Sequence, residues 1–209
     1  MAASDRLVWI DLEMTGLDPG RDEIVEIACI VTEADLTELD PGISLVVKPS
    51  DAPLAAMDDV VVRMHTESGL LDEIPGGIAL ADAEAQVLAY VRGHVPDARR
   101  APLAGSSVYV DRGFLAAYMP DLDAHLHYRL VDVSTIKELA RRWYPRVYFA
   151  TPEKKGNHRA LGDIRESIAE LRYYRDALFV PHTGPDSSTA QAIGQSHVVD
   201  HATRDVPLL

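Results

Sequence analysis

The sequence predicts a single α/β (α+β) domain. Three observations carry that reading: apolar, strand-like runs open the chain, helical patterns follow them, and short strand candidates then alternate with helices. At 209 residues the chain is long enough to bury a full core. The domain is expected over residues 1–180, with a flexible C-terminal tail over 181–209.

Residues 7–14 are rich in strand formers, and Thr15-Gly16-Leu17-Asp18-Pro19-Gly20 ends them with turn residues. Further strands are expected over about 24–32 and 43–48, the latter closed by Pro49, and short connections make the three a meander. Helices are expected over about 53–65 and 80–94; Ala83, Val87, Tyr90, Val91 and Val95 recur near helical spacing in the second. Pro102-Leu103-Ala104-Gly105 is a short strand candidate, and a helix over about 111–118 ends before Pro120. Residues 128–132 form another strand candidate. Thr135 and Glu138 have the spacing of a capping box for a helix reaching Trp143. A last helix is expected over 159–179, with Leu161, Ile164, Ile168, Leu171 and Leu178 as its apolar stripe. Beyond Pro181 the apolar period disappears, apart from a short helical patch near 190–193.

Hydrophobic content of 47% and charged content of 25% suit a globular protein. No apolar run approaches the ~18 residues of a membrane span. Residues 1–6 lack a basic segment followed by an apolar core, so no secretory signal and a cytoplasmic location are expected. Cys29 is the only cysteine and sits in an apolar run, as a buried, inert thiol would. The net charge of −13 argues against a long nucleic acid held by a basic track, while leaving room for a short anionic substrate.

Five residues could form one site. Asp11 and Glu13 lie two apart on a strand, so both side chains leave the same face. Asp111 precedes or opens a helix, where an acid also serves simply to complement the helix dipole. His158 and Asp163 are five apart, too far round one helix to be neighbours, so His158 must belong to its first turn or to the loop before it, with 154–157 as a polar hinge. Four converging carboxylates could hold two hard divalent cations, Mg²⁺ or Mn²⁺ rather than Zn²⁺, and the imidazole could move a proton. The ordinary histidine pKa of about 6.5 suits that task near neutral pH.

In their local contexts these positions resemble the DEDDh exonucleases, in which Asp-x-Glu, a mid-chain Asp and His-x4-Asp mark three motifs. Asp11-Leu12-Glu13-Met14-Thr15-Gly16-Leu17-Asp18-Pro19, His65-Thr66-Glu67-Ser68-Gly69-Leu70 and the run from Asp132 to Trp143 are similar to the oligoribonuclease family in particular, over about residues 6–179. The resemblance implies an RNase H-like mixed sheet with helices on both faces, and a 3′→5′ exoribonuclease that cuts the shortest RNAs, especially dinucleotides, to mononucleotides. It implies that Asp11, Glu13, Asp111 and Asp163 are metal ligands and His158 the general base. Leu17 and His65 match substrate-contacting positions, the first packing against a base. Ser107, Tyr128 and Ser134 match positions that enclose the 5′ end, with Tyr128 reaching over from the second subunit of a homodimer.

The chain departs from the family pattern at two points. Many members carry a Trp after Met-Asp-Asp, where Val60 follows Met57-Asp58-Asp59 here. The usual Gly-Asn-Ser reads Gly105-Ser106-Ser107. The aromatic run 142–149 fits a dimer contact or core packing equally well.

Rival readings are a related nuclease acting on DNA or longer RNA, an aspartyl-nucleophile phosphatase, and a nucleotide-binding module with an inert metal site. The phosphatase scheme prefers Asp where Glu13 stands and leaves His158 idle. A closed pocket for two nucleotides should bind RNA with a shallow dependence on salt. Titrations of a diribonucleotide from low to high salt check this, and a steep slope would point to a long-polymer binder.

Overall fold

The computed structural model describes residues 5–153, 156, 158–180 and 184–198. In chain order its elements are β1 (Leu7–Met14), β2 (Ile24–Thr32), β3 (Ile43–Val46), α1 (Asp51–Ala55), α2 (Asp59–Glu67), α3 (Leu70–Glu73), a 3₁₀ turn (Ile74–Gly76), α4 (Leu80–His94), β4 (Pro102–Gly105), α5 (Tyr109–Tyr118), α6 (Pro120–His125), β5 (His127–Asp132), α7 (Val133–Trp143), α8 (Pro145–Phe149), α9 (Ala160–Leu178) and α10 (Ser187–Ser196).

The five strands form one mixed sheet in the order β3-β2-β1-β4-β5. β1, β2 and β3 are antiparallel neighbours, as the expected meander requires, whereas β4 and β5 run parallel to β1. The strand period sorts side chains between two cores. Val8, Ile10 and Leu12 of β1 join Ile27, Cys29 and Val31 of β2 on the face covered by α4 and α5. Trp9 points the other way, with Ala28 and Ile30, into the core beneath α7 and α9. Asp11 and Glu13 share the phase of Trp9, and Glu26 shares that of Ala28, so all three acids belong to the α9 face. β2 is buried along its whole length, which explains its nearly unbroken apolar run. Cys29 is wholly buried, and burial pushes its thiol pKa far up, so it is inert. Among the described residues no helix is long and apolar enough to cross a membrane.

Several boundaries differ from the expected ones for local reasons. The helix expected over 53–65 is two helices, because Asp58 takes an extended backbone and becomes the N-cap residue of α2. The strand expected to reach 48 stops at Val46; Val47 continues only as an isolated bridge to Ile78. The helix assigned to a Thr135–Glu138 capping box starts earlier, because the Asp132 carboxylate accepts from the Ser134 N–H and opens the helix at Val133. In the aromatic run, Tyr148 packs against the α9-side core, while Trp143, Tyr144 and Phe149 are exposed. The helical patch near 190–193 is the longer, exposed α10. Most of the hinge at 154–157 and the tail at 181–183 and 199–209 lie outside the described residues.

Trp9 is the largest side chain buried without exposure, and its indole N–H donates to Thr32 Oγ1 at 3.0 Å. Trp9→Ala should cost about 3–5 kcal/mol of unfolding free energy, read from urea denaturation, by leaving a cavity and an unpaired hydroxyl.

Candidate metal and active site

Three acids from two elements meet at the end of β1. Carboxylate oxygens of Asp11, Glu13 and Asp163 all lie within 4.8 Å of one another. Asp163 sits in the first turn of α9, where the helix dipole favours a negative charge. Asp111, in the first turn of α5, approaches β1 from another side. β4 pairs with β1 only at Val8 and Trp9, so the Leu12 N–H lies beyond the reach of that ladder. Asp111 Oδ1 accepts from it at 3.0 Å, which fixes this carboxylate beside Asp11. Of the four acids expected to converge, Asp11, Glu13 and Asp163 meet in one cluster, and Asp111 is tied to the same strand at Leu12.

Their chemistry shows the strain of crowding. Burial holds Asp11 well above the usual carboxylate range, and repulsion from Asp111, Glu13, Asp163 and Glu26 adds to it. Burial pushes Glu13 up to about 8, helped by Asp163, Glu26 and Asp111 and opposed by Arg159. Burial also raises Asp111 to about 7, against the lowering effect of the Leu12 N–H. All-oxygen donors that resist ionisation together suit a hard divalent cation, whose charge would relieve the repulsion.

Two histidines flank the cluster. His158 lies two residues before α9, exposed, with a left-handed backbone (φ 49°) rare outside glycine. His65, on α2, is 0% exposed; its Nε2–H donates to the Met14 carbonyl at 2.9 Å. That leaves Nδ1 as an acceptor, 3.8 Å from Glu13 Oε2 and with no hydrogen-bond partner. Burial holds the His65 pKa below its usual value, so the ring is neutral near pH 7.

Leu17 is 74% exposed at the tip of the turn after β1. The buried Asp22 builds that turn: it accepts from the Asp18 N–H at 2.9 Å and fills the space a side chain at Gly16 would occupy. On the other flank, Asp132 Oδ1 accepts from both the Ser107 and Ser134 N–H groups at 2.9 Å. The two hydroxyls then meet at 3.1 Å, with Ser107 in a left-handed conformation (φ 55°). Ser106, where the family pattern has Asn, bonds Ser167 of α9 at 2.9 Å and so ties the β4–α5 turn to that helix. Tyr128 is 75% exposed on the edge strand β5, and its ring neighbours are His127 and Arg129. Val60 lies exposed on α2.

Sequence reasoning passed over Asp132, Glu26 and Arg159. Glu26 is the Cα partner of Glu13 across the β1–β2 pair and 1% exposed. A charge in the middle of a strand that is otherwise apolar was the available signal.

Because Glu13 and Asp111 hold protons more tightly in the fold than in an unfolded chain, the metal-free protein should lose stability as pH rises from about 4.5 through about 8. Thermal melts in chelator should show that decline, and Mg²⁺ or Mn²⁺ should raise the melting temperature most at its alkaline end.

The family described as Exonuclease matches residues 8–171. The oligoribonuclease of Streptomyces avermitilis is 62% identical over 196 residues, covering 94% of this chain and 98% of that one. The oligoribonuclease of Leifsonia xyli is 62% identical over 91% of this chain and 92% of its own, and that of Mycobacterium bovis 55% over 90% and 88%. Among solved structures, E. coli Exonuclease I in complex with a dA16 oligonucleotide superposes with a TM-score of 0.64 at 14% identity, over 83% of this chain and 41% of that one. Exonuclease I from Methylocaldum szegediense gives 0.58 at 19%, over 83% and 41%. The chain thus spans about two-fifths of those structures, which share its RNase H-like fold. With its mixed sheet, its carboxylate cluster and relatives matched almost from end to end, the chain belongs to the oligoribonuclease family of exonucleases.

Proposed function

We propose that the chain is a 3′→5′ exoribonuclease that hydrolyses very short single-stranded RNA, diribonucleotides above all, to nucleoside 5′-monophosphates. The observation that carries this reading is the meeting of Asp11, Glu13 and Asp163, with Asp111 locked beside them, in a chain of this family. Those four side chains would hold two divalent cations, Mg²⁺ or Mn²⁺. When bound, the cations supply charge neutralisation and Lewis acidity at the scissile phosphate.

The remaining work falls to the chain's own groups. His158 takes the proton of the attacking water as its oxygen bonds to phosphorus, the P–O3′ bond breaks, and the departing 3′-oxygen is protonated by solvent. Its exposure before α9 leaves it free to reach a substrate. Leu17 offers an apolar surface to a base. Ser107 and Ser134, aligned by Asp132, present hydroxyls to the terminal phosphate. His65, which matches a substrate-contacting position, is closed off from solvent, with Nδ1 3.8 Å from Glu13 Oε2.

Tyr128 closes the pocket from a second copy in a homodimer; its exposure on an edge strand supports that placement. The pocket needs no basic track, in keeping with the net charge of −13. A cytoplasmic site of action accords with the single, buried cysteine.

Labelled RNAs of two to seven nucleotides, incubated with and without Mg²⁺, test the reading. Initial rates should be highest for the dinucleotide and vanish in chelator. Asp11→Asn should abolish turnover, and His158→Ala should lower kcat by about 10²–10⁴-fold with little change in KM. Equal rates across lengths, or on single-stranded DNA, would favour another nuclease of the superfamily.

A further inference from the structure

Arg159 is the residue between His158 and α9, and its guanidinium is engaged on two sides. Nε and Nη2 donate to Glu26 of β2, with Nη2 at 3.1 Å from Oε1. Nη1 and Nη2 each donate to one oxygen of Glu73 on α3 at 2.9 Å. Glu26 has further partners: it accepts from the Ala160 N–H at 3.2 Å, and so caps α9, and from Ser44 Oγ at 2.9 Å. One planar cation thus joins the central sheet, the end of the α2–α3 wall and the first residue of α9.

We propose that Arg159 is a positioning residue for the reaction: shared between Glu26 and Glu73, it fixes the strained chain entering α9 and thereby the placement of His158 and Asp163. The proposal rests on the exoribonuclease reading above. Three features support it. The left-handed His158 stands directly before Arg159, and such a backbone persists only when its surroundings over-determine it. Glu26 lies opposite Glu13 on the same sheet face, so without its cation it would be a further loose carboxylate among the site acids. The fork geometry uses parallel N–H groups that a lysine ammonium lacks, which makes the arrangement specific to arginine.

The contact with Glu73 is half-exposed (48%), whereas that with Glu26 is buried, so the two arms can be tested separately. Arg159→Ala should lower kcat on a diribonucleotide by about ten- to a hundredfold, as expected for a small displacement of reacting groups. KM should stay within about twofold, while Mn²⁺ affinity by calorimetry should fall severalfold, because Asp163 is displaced together with His158. Arg159→Lys should recover thermal stability but only part of kcat. Glu73→Ala, which leaves the buried arm intact, should give a smaller loss of kcat. Amide hydrogen exchange over residues 158–164 should quicken in both alanine variants, with β1 and β2 unchanged.

Wild-type kcat together with wild-type exchange in Arg159→Ala would overturn the proposal. So would exchange that rises evenly across the fold and follows a fall in melting temperature. If the wild-type protein releases no mononucleotide, the exoribonuclease reading fails by itself. Exchange then decides the clamp alone: local quickening supports it and no change overturns it.

Discussion

Carboxylate crowding at the end of β1 is the constraint around which this molecule is arranged. Asp11 and Glu13 leave the same strand face, Asp163 meets them from α9, and Asp111 locks onto the Leu12 N–H. Left alone, such charges resist ionising together, as the upward shifts at Asp11 and Glu13 show, where repulsion adds to burial. The fold offsets part of the cost with Arg159 and backbone N–H groups. The remainder is left for a cation to relieve. A site of this kind is held together by what it binds as much as by its own packing.

Sheet geometry explains why the cluster sits where it does. β1 is the strand at which antiparallel pairing on one side gives way to parallel pairing on the other. β4 follows it for only two residue pairs, and the turn into α5 then opens a gap beside the end of β1. Open α/β sheets place ligands at such a change of direction, beyond the carboxyl ends of their parallel strands. Ser107 and Ser134 follow the ends of β4 and β5 and complete the rim.

Much of this was legible in the residues. Strand formers along 7–14, closed by a turn signal, and the apolar run 24–32 place the first two strands, and the Asp-x-Glu spacing places two acids on one face. His158 and Asp163 could not be helix neighbours, and the structure sets His158 ahead of α9. Less legible were interactions that depend on long-range closure. Nothing local says that Asp132 will win the start of α7 from Thr135, because its carboxylate is held by Ser107, 25 residues away, as well as by Ser134. Glu26 hides in a strand whose apolar character dominates any window, and its cation is 133 residues distant. The break between α1 and α2 turns on one extended aspartate, which periodicity alone does not reveal.

Ser107 and His158 both hold left-handed backbones without being glycine. Conformations of this sort cost roughly 1–3 kcal/mol each. Relaxing them would offer a ready route to a hardier protein and, under the roles proposed for Ser107 and His158, to a slower one. Under those roles robustness and turnover are opposed at two identifiable peptide units, and a thermostable descendant that stays fast would draw its added strength from elsewhere.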